Sequence, residues 1–393
     1  MGGVSMEWKE VRLGDIVSIK SGLAYKGAFI GKGENILLGM GCVSFKDKFL
    51  FSGARPYEAD CDDKYCVEPG DIVLATRQQS DNLPILAMPA IIPSSLKAKK
   101  IIYGTNLYKV ENHSEVTNDF LFWQLKTPDY IDYISSVKTG SVVRMVTKKN
   151  VEGYVFRCPP KEVRDRISKL LWGLDRKIEL NNKINADLEE MAQAIFKNWF
   201  VDFQPFKDGK FVDSELGMIP EGWKVGCLGD IAEITSGKRP PKKSKDKTKE
   251  LFIPLIGASD IMGFTSDVLY ERPILVIGRV GTHGVVQRFQ EKCWPSDNTL
   301  VIESSYYNYV YQLLKGIDYS AINRGSTQPL ITQTDVKNTD VIIAPENVLK
   351  EYESITSTLF SKHRANIKEN SRLSLLRDTL LPRLMSGELE VPE

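Results

Sequence analysis

The sequence is poor in the residues that metal sites and disulfide frameworks require. It contains three histidines, His113, His283 and His363, which lie far apart, and six scattered cysteines. Only Cys61 and Cys66 lie close together, and their separation by four residues fits neither a zinc site nor a redox pair. We therefore expect no metal site in this chain and reduced, structural thiols.

Long apolar runs and an excess of charge of one sign are also missing. No segment approaches the length of about 18 apolar residues that a membrane-spanning helix needs, and the opening MGGVSMEW lacks the apolar core of a signal peptide. We therefore expect a cytoplasmic protein with no membrane contact. The net charge of +1, from 52 basic and 51 acidic residues, argues against indiscriminate binding of polyanions but allows local basic surfaces.

Catalytic motifs are absent as well. A DNA methyltransferase needs an Asn or Asp followed by Pro-Pro and an aromatic residue, and neither Pro-Pro pair, in RCPPKE or RPPKKS, has these neighbours. The segment GAFIGKG has the wrong spacing for a phosphate-binding loop and no hydroxyl residue after Lys32. No pair of carboxylates stands out as a nuclease cluster. We therefore predict that the chain is not an enzyme and binds no cofactor itself.

The chain contains an internal duplication. The segment WKEVRLGDIVSIKSG, which begins at Trp8, matches WKVGCLGDIAEITSG, which begins at Trp223. Further along, residues 161–200 match residues 346–385 without a gap. A repeat with matching borders predicts two lobes of the same fold. The second lobe is the shorter, because its two borders lie closer together in the sequence.

The segments 161–200 and 346–385 each have the pattern of a long helix. Their apolar residues recur at steps of three and four, which is typical of a helix that packs along a partner helix. We predict that the two helices pair as an antiparallel coiled coil. The residues predicted to pair are Val163, Ile167, Leu170, Leu174, Asn181, Leu188 and Ile195 in the first helix and Val348, Tyr352, Ile355, Leu359, Asn366, Leu373 and Leu380 in the second.

Asparagines interrupt the apolar stripe at matching places in the two helices. Asn181 corresponds to Asn366, and Asn185 corresponds to Asn370. A buried asparagine costs stability but fixes the register of two helices, because a slipped alignment leaves its amide unpaired. The alternative is that the helices splay apart here and that these positions face solvent.

Between the repeated borders, both lobes have short strand patterns separated by Gly and Pro. The predicted fold class is α+β, with two similar globular α+β domains separated by the two long antiparallel helices in a pseudo-twofold repeat. The predicted boundaries are 1–160 for the first domain, 161–200 for the first helix, 201–345 for a connecting arm with the second domain, and 346–393 for the second helix with a short tail.

Polar and basic side chains gather at strand ends and in loops. Arg and Gln can each bond two atoms of a guanine or adenine edge, and Lys suits phosphates. For every one of these positions the alternative is a solvated surface loop. The candidate DNA-contacting residues are Arg77, Gln78, Gln79, Arg144 and Lys148 in the first lobe and Lys238, Arg239, Arg279, Thr282, His283, Arg324 and Gln328 in the second.

Taken together, these segments resemble a specificity (S) subunit of a Type I restriction-modification system. The resemblance rests on the duplicated LGDI segment, on GRVG followed by THG, on RGSTQPLIT, and on the helix ends LEEMAQAIFKNWFVDF and LRDTLLPRLMSGEL. Each motif is weak alone, but they follow the family's order over nearly the whole chain, from Trp8 to Leu389.

The resemblance implies a non-catalytic reader of a bipartite site in double-stranded DNA. Each lobe would be a target recognition domain for one half-site, and the helices would set the spacer and dock two modification subunits. Methylation would use S-adenosylmethionine in the modification partner. Cleavage would use ATP and Mg in restriction subunits, which bind through the modification subunits. The alternative is a two-lobed coiled-coil scaffold that assembles protein partners and does not bind DNA.

The helix length gives an estimate of the spacer. The 36 steps from Val163 to Trp199 span about 54 Å at about 1.5 Å per residue, which equals about 16 base pairs of duplex. Two half-sites of about four base pairs each would leave an unread gap of about eight.

Overall fold

Two long helices supply part of the core of each half of the chain. The computed structural model describes residues 7–78, 84–281, 284–324 and 330–391. By its internal contacts the chain divides into unit 1, Met1–Glu179 with Glu369–Glu393, and unit 2, Leu180–Lys368. Both long helices cross this division without a break. Each unit therefore combines one lobe with part of each helix.

Unit 1 holds the first lobe, lobe 1, and begins the first long helix. Its strands are β1 (Lys9–Arg12), β2 (Val17–Ser21), β3 (Ile30–Leu38), β4 (Ala54–Tyr57), β5 (Ile72–Ala75), β6 (Arg77–Gln78), β7 (Pro89–Ile91), β8 (Ile101–Tyr103), β9 (Leu107–Asn112), β10 (Arg144–Met145) and β11 (Val155–Cys158). Its helices are α1 (Leu13–Ile16), α2 (Asn118–Gln124), α3 (Pro128–Val137), α4 (Lys148–Glu152), the first part of α5 (Lys161–Phe200) and the last part of the second long helix, α8 (Glu346–Ser386).

Unit 2 holds the connecting arm and the second lobe, lobe 2. Its strands are β12 (Phe211–Val212), β13 (Ile219–Pro220), β14 (Lys224–Cys227), β15 (Glu233–Ser236), β16 (Ile253–Ile256), β17 (Ile261–Thr265), β18 (Ile274–Gly278), β19 (Gln287–Phe289), β20 (Trp294–Pro295), β21 (Thr299–Glu303) and β22 (Asp340–Ile343). Its helices are the last part of α5, α6 (Tyr307–Gly316), α7 (Gln333–Lys337) and the first part of α8 (Glu346–Ser386).

The two lobes share one sheet topology, so the predicted duplication and the α+β fold class are confirmed. The order β2-β9-β5-β7 in lobe 1 corresponds to β15-β21-β18-β19 in lobe 2. The order β4-β3-β8 corresponds to β17-β16-β20, and in both lobes the last two strands run parallel. The pair β1 and β11, from the two borders of lobe 1, matches β14 and β22.

An aromatic helix anchors each lobe. In lobe 1, the Thr117 side chain accepts a hydrogen bond from the Phe120 N–H and so caps the first turn of α2. Phe120, Phe122 and Trp123 are then buried in the core of unit 1. Helix α6 plays the same part in unit 2, where its tyrosines are buried.

In each unit, α5 and α8 share the lobe's hydrophobic core. Ile167 and Leu171 of α5 pack in the core of unit 1 with Leu381 and Leu384 of α8. In unit 2, Ala192 and Phe200 of α5 pack in one core with Val348, Tyr352 and Phe360 of α8. The helices are antiparallel, because Asp175 pairs with Arg377 and Lys177 with Glu369, so that the numbering rises along one helix and falls along the other.

The buried stripe differs from the predicted one at one position. Among the residues predicted to pair, Ile167, Asn181, Val348, Tyr352 and Asn366 are buried, and Ile355 is 39% exposed. The other eight are partly buried: Val163, Leu170, Leu174, Leu188, Ile195, Leu359, Leu373 and Leu380. The prediction that Ile355 packs in the seam, the buried contact between α5 and α8, is therefore wrong.

Thr356 explains the displaced position. Its side chain is fully buried, and its hydroxyl donates to the Tyr352 carbonyl oxygen at 2.8 Å, within the same helix. Because the hydroxyl is satisfied locally, a polar residue occupies the seam at little cost. The apolar pattern alone placed the seam one residue too early.

Three of the four asparagines, Asn181, Asn185 and Asn366, are buried between the helices rather than facing solvent, and Asn370 is partly buried. Asn366 Nδ2 donates to Asn185 Oδ1 at 2.9 Å, and Asn366 is 1% exposed. Asn181 is fully buried. A one-residue slip of either helix would separate the Asn185 and Asn366 amides in an apolar environment, so this pair favours a single register.

A buried ion pair joins lobe 1 to the two helices of unit 1. Asp175 of α5 accepts a hydrogen bond from Arg377 Nη1 of α8 at 2.6 Å, and Lys48 Nζ of the lobe lies 3.8 Å from the same carboxylate. The Arg377 guanidinium lies 6.0 Å from the Trp123 ring, and Lys48 Nζ lies 4.7 Å from the Trp172 ring. The charges are compensated, which a buried carboxylate requires.

Unit 2 uses different residues at the corresponding junction. Glu189 of α5 accepts hydrogen bonds from the Tyr311 hydroxyl at 3.1 Å and from Lys315 Nζ at 3.3 Å. Glu353 of α8 accepts from the backbone N–H groups of Asn308 and Tyr309, both at 2.8 Å, and so caps the start of α6. Burial raises the pKa of Glu353, although these two backbone hydrogen bonds oppose the shift.

Lys126 of lobe 1 is held by backbone carbonyl oxygens and an aromatic ring. Its Nζ donates to the carbonyl oxygens of Phe45 at 3.1 Å and Asp47 at 3.0 Å, and it lies 5.1 Å from the Phe122 ring. Loss of solvation on burial lowers the pKa of Lys126 from its ordinary value of 10.5 to about 8.

This lowered pKa predicts a stability change with pH. Between pH 8 and 10.5 the unfolded chain keeps Lys126 protonated whereas the folded chain does not, so the free energy of unfolding should rise with pH through this window. The contribution of Lys126 should be on the order of 3 kcal/mol. Urea unfolding of the wild type and Lys126→Met at several pH values measures it as the difference between the two profiles.

Lys126→Arg is the matched control, because it keeps a charge at every pH in this range. The free energy of unfolding of Lys126→Arg should not rise with pH in this window. Above pH 8 this variant should therefore be the least stable of the three proteins. Parallel profiles for the wild type and Lys126→Met would contradict the lowered pKa.

Candidate nucleic-acid interface

The structure brings together two clusters of lobe 1 that lie far apart in sequence. Strand β6 pairs antiparallel with β10, so that Gln78 lies opposite Arg144 and Arg77 lies opposite Met145. Arg77 follows directly on the buried strand β5 and Thr76. The two arginines that the sequence marked separately therefore belong to one edge of lobe 1.

A short hairpin carries Arg144. The backbone N–H and carbonyl groups of Thr139 and Met145 bond to each other in both directions at 2.9 Å. Arg144 Nη1 donates to the Gly140 carbonyl oxygen at 2.6 Å. Gly140 has φ +88, and a Cβ there would lie 2.1 Å from the Val143 carbonyl oxygen, so only glycine fits this turn. We call residues 140–145 the lobe 1 hairpin.

The tip of the lobe 1 hairpin is apolar. Val142 is 83% exposed, Val143 is 37% exposed and Met145 is 43% exposed. A search of the sequence for Arg, Gln and Lys misses these residues. The available signal was the sequence match of Gly140-Ser141 with Gly325-Ser326, of which only the first pair lies within the described residues.

Gln78 differs from its prediction as a DNA-contacting residue. It is 7% exposed, and its Oε1 accepts a hydrogen bond from the Leu86 backbone N–H at 3.2 Å. This bond holds the start of the following segment in place. A side chain buried in this way positions the edge of the lobe and does not face solvent. Gln79 lies outside the described residues.

Lys148 lies at the start of α4, close in sequence to the lobe 1 hairpin. The Thr147 side chain caps this helix by accepting a hydrogen bond from the Asn150 N–H at 3.2 Å. The Tyr133 hydroxyl donates to the Asn150 carbonyl oxygen and further fixes α4. Lys148 and Lys149 are exposed, so their ammonium groups are accessible on a fixed backbone.

Lobe 2 brings its own two arginine segments together in the same way. Val280, which follows Arg279, forms an antiparallel bridge with Leu330. The Arg324 N–H donates to the Leu330 carbonyl oxygen at 3.0 Å, and the Ile331 N–H donates to the Arg279 carbonyl oxygen at 3.0 Å. Thr282, His283 and Gln328, which were also candidate contacts, lie outside the described residues.

Arg77 and Arg279 lie one position apart in the shared topology, because Arg279 corresponds to Thr76 and Val280 corresponds to Arg77, but the two arginines share one feature. Each follows the central buried strand of its lobe, β5 or β18. In each arginine, Nε is buried and makes no hydrogen bond within the described part of the chain. Both residues are partly exposed. Besides Nε, an arginine at a lobe edge has four further N–H donors that suit an external acceptor.

Arg324 is less available than predicted. Its guanidinium forms an ion pair with Asp335, and the same carboxylate accepts from the Thr332 hydroxyl at 2.6 Å within the capping box of α7. Burial opposes ionisation of Asp335, but the hydrogen bonds from Thr332 and Arg324 outweigh it and lower the Asp335 pKa. Arg324 therefore supports the turn before α7.

Lys238 and Arg239 are exposed and begin the lysine-rich segment of lobe 2. The Lys238 backbone is fixed, since its N–H donates to the Pro295 carbonyl oxygen at 3.0 Å and its own carbonyl oxygen accepts from Trp294 Nε1 at 2.7 Å. Residues 241–249 are exposed apart from the partly buried Ser244, which bridges to Phe264. This segment presents several ammonium groups on one border of lobe 2.

Other chemistry is limited among the described residues. Within 7–78, 84–281, 284–324 and 330–391, no group of three or more His, Cys, Asp or Glu side chains is placed to hold a metal ion. No helix in the same ranges is long and apolar enough to cross a membrane. The Cys61 and Cys66 sulfurs lie 3.9 Å apart, and loss of solvation, with the neighbouring Cys66, raises the pKa of the Cys61 thiol to about 12. Such a thiol is a poor nucleophile at neutral pH.

Comparisons with known proteins agree on one family. The family model described as the Type I restriction modification DNA specificity domain matches residues 6–190 and again 220–372. The chain is 31% identical to the Type I restriction enzyme MjaIX specificity subunit of Methanocaldococcus jannaschii, over 71% of this chain and 70% of that protein. It is 24% identical to the HindI specificity subunit of Haemophilus influenzae, over 98% of this chain and 100% of that protein.

A solved structure shares the fold. The crystal structure of the Type I restriction-modification S subunit from M. genitalium aligns with a TM-score of 0.60 over 98% of both chains, at 15% sequence identity.

Proposed function

The chain belongs to the family of Type I restriction-modification DNA specificity proteins, and on that premise we propose that it reads a bipartite target in double-stranded DNA. It is the specificity subunit of such a system, and lobes 1 and 2 are its two target recognition domains. Each lobe contacts one half-site. The observation that carries this proposal is that both lobes gather two arginine-bearing segments at one edge, in the same topology.

The residues at these edges suit recognition of a duplex. Arg77 and Arg144 in lobe 1 and Arg279 in lobe 2 have the side chain that most often reads guanine in the major groove. Lys148, Lys238 and Arg239 are exposed on fixed backbone and neutralise phosphates, which adds affinity without sequence information. The candidates Gln79, Thr282, His283 and Gln328 stay part of the proposal on their chemistry alone.

The long helices have a separate role in the proposal. Their length sets the number of unread base pairs between the two half-sites, and the asparagine pair at Asn185 and Asn366 keeps that length constant by preventing a slip of register. The helices also dock two modification subunits. Leu375 and Leu376, which are 70% and 46% exposed, are apolar side chains of α8 that suit such contacts.

The reactions of the complex belong to other subunits in this proposal. The modification subunits methylate adenine with S-adenosylmethionine, and restriction subunits that bind through them cleave DNA with ATP and Mg. The specificity chain contributes no catalytic group and holds no cofactor. It determines where the other subunits act.

Selection of bound duplexes from a library with randomised bases tests the split target. With the complex of this chain and its modification subunits, the selection should recover two short runs of specific bases, called blocks, at a fixed separation. Arg77→Ala should relax one block and Arg279→Ala the other, each by roughly 1 to 3 kcal/mol at the affected base. Thermal melting of both variants checks that they fold. One continuous block, or relaxation of both blocks by one variant, would contradict the assignment.

The lysines at the start of α4 should act without regard to sequence. Lys148→Ala with Lys149→Ala should weaken binding equally for all duplexes and reduce the slope of log K against log salt by about 0.9 for each phosphate that is no longer neutralised. Lys350→Ala, which removes an exposed lysine of α8 paired with Glu346, is the matched control and should leave the slope unchanged. A wild-type slope of zero would instead favour a scaffold that binds only proteins.

Shortening both helices should change only the gap. Removing about seven residues from each helix keeps the period of about 3.5 residues per turn and shortens each by about 10 Å, which equals about three base pairs. The deletions are placed within residues 176–184 and 367–376, which spares both the Asn185–Asn366 and the Asp175–Arg377 pairs. Recovery of the same two blocks with a gap about three base pairs shorter is the expected outcome. Altered blocks would show that the helices contribute to base reading.

A further inference from the structure

The apolar tip of the lobe 1 hairpin is exposed although its backbone is fixed. Val142 is 83% exposed, whereas the hairpin that carries it is firmly built, with two backbone hydrogen bonds between Thr139 and Met145 and a side-chain bond from Arg144 to Gly140. In a flexible loop, exposed valines would have no defined position for binding. A fixed hairpin presents them at a defined place at no further cost in ordering.

The surroundings of the tip indicate what covers it. Arg77 lies opposite Met145 in the paired strands, Arg144 adjoins the tip, and Lys148 and Lys149 follow at the start of α4. A surface with this concentration of positive charge favours a polyanion over an apolar protein partner. The tip is also only two valines wide, far below the roughly 800 Å² that each partner buries in a stable protein interface.

Resting on the proposed function, we propose that Val142 and Val143 read the 5-methyl group of thymine in the major groove of the half-site bound by lobe 1. Thymine is the one DNA base that presents a methyl group in this groove, and small apolar side chains recognise it by contact. The neighbouring arginines bind guanine edges or phosphates. The tip therefore recognises the thymine methyl group, which hydrogen-bond donors cannot recognise.

The sequence of lobe 2 supports the idea that the two lobes recognise different bases. When the two repeats are aligned through their long helices, Val143 corresponds to Gln328, an amide that suits an adenine edge. The same position of the sequence repeat thus carries an apolar residue in one lobe and a hydrogen-bonding residue in the other. Two lobes of one fold can in this way recognise different half-sites.

Replacing thymidine by deoxyuridine tests the inference, because uracil pairs like thymine and lacks only the methyl group. The complex with modification subunits is used to select duplexes from a thymidine library, and the recovered duplex is then made with single deoxyuridine replacements. In the block that Arg77→Ala relaxes, at least one replacement should lower affinity about threefold to fivefold, as expected for returning one methyl contact to water.

The variant Val142→Ala with Val143→Ala should bind the deoxyuridine duplex and the thymidine duplex equally well. Val155→Ala is the matched control, since it truncates a 45% exposed valine of β11 in the same lobe and should keep the wild-type discrimination. Thermal melting checks that the three proteins are folded.

Three results would overturn the inference. Equal binding of both duplexes by the wild type would show that no thymine methyl is read. Discrimination that survives in the Val142 and Val143 double variant would place the reading elsewhere. An equal loss of affinity for both duplexes in that variant would limit the tip to a general positioning role. Failure to recover any block from the first library would instead refute the proposed function itself.

Discussion

The fold depends on the fact that neither long helix can bury its apolar stripe alone. In unit 1, α5 and α8 enter the core of lobe 1 together through Ile167 and Leu384, and in unit 2 they enter the core of lobe 2 through Phe200 and Tyr352. Removing one helix would therefore expose apolar surface in both units. The pairing is thus part of each lobe's stability, and the lobes are not independent domains attached to a separate coiled coil.

The apolar contacts between α5 and α8 do not by themselves specify one alignment of the helices. The polar groups within these contacts do. The amides of Asn185 and Asn366 bond to each other, and Asp175 bonds to Arg377. Removing one partner from either pair would leave a polar group or a charge buried without compensation. These pairs therefore penalise alternative alignments of the helices more than they strengthen the native one.

Much of this architecture could be predicted from the sequence, because repetition and periodicity are long-range signals. The two long helices lie where the period of three and four residues places them. The exchange of Ile355 for Thr356 could not be seen, since a hydroxyl that bonds within its own helix is buried as easily as an apolar residue. The sequence marked Gln78 as a base reader because chemistry alone does not tell an exposed amide from one that holds a neighbouring backbone.

Sequence patterns also could not predict which segments distant in sequence lie side by side in the fold. Arg77 and Arg144 lie far apart in the sequence, and only the pairing of β6 with β10 brings them to one edge of lobe 1. The exposed valines at the tip of the lobe 1 hairpin were missed for a different reason. An apolar residue is normally assigned to the core, and its exposure depends on a turn that only Gly140 permits.

The two junctions between lobe and helices are built on unlike residues, although the helices that carry them are repeats. In the gapless alignment of the two helices, Asp175 corresponds to Phe360, and Arg377 corresponds to Ala192. If lobe 1 were transplanted onto the helix segments of unit 2, Lys48 would meet a phenyl ring and Trp123 a methyl group where each now meets a charge. A gene rearrangement that exchanges recognition lobes would consequently succeed only when the matching turns of both helices travel with them.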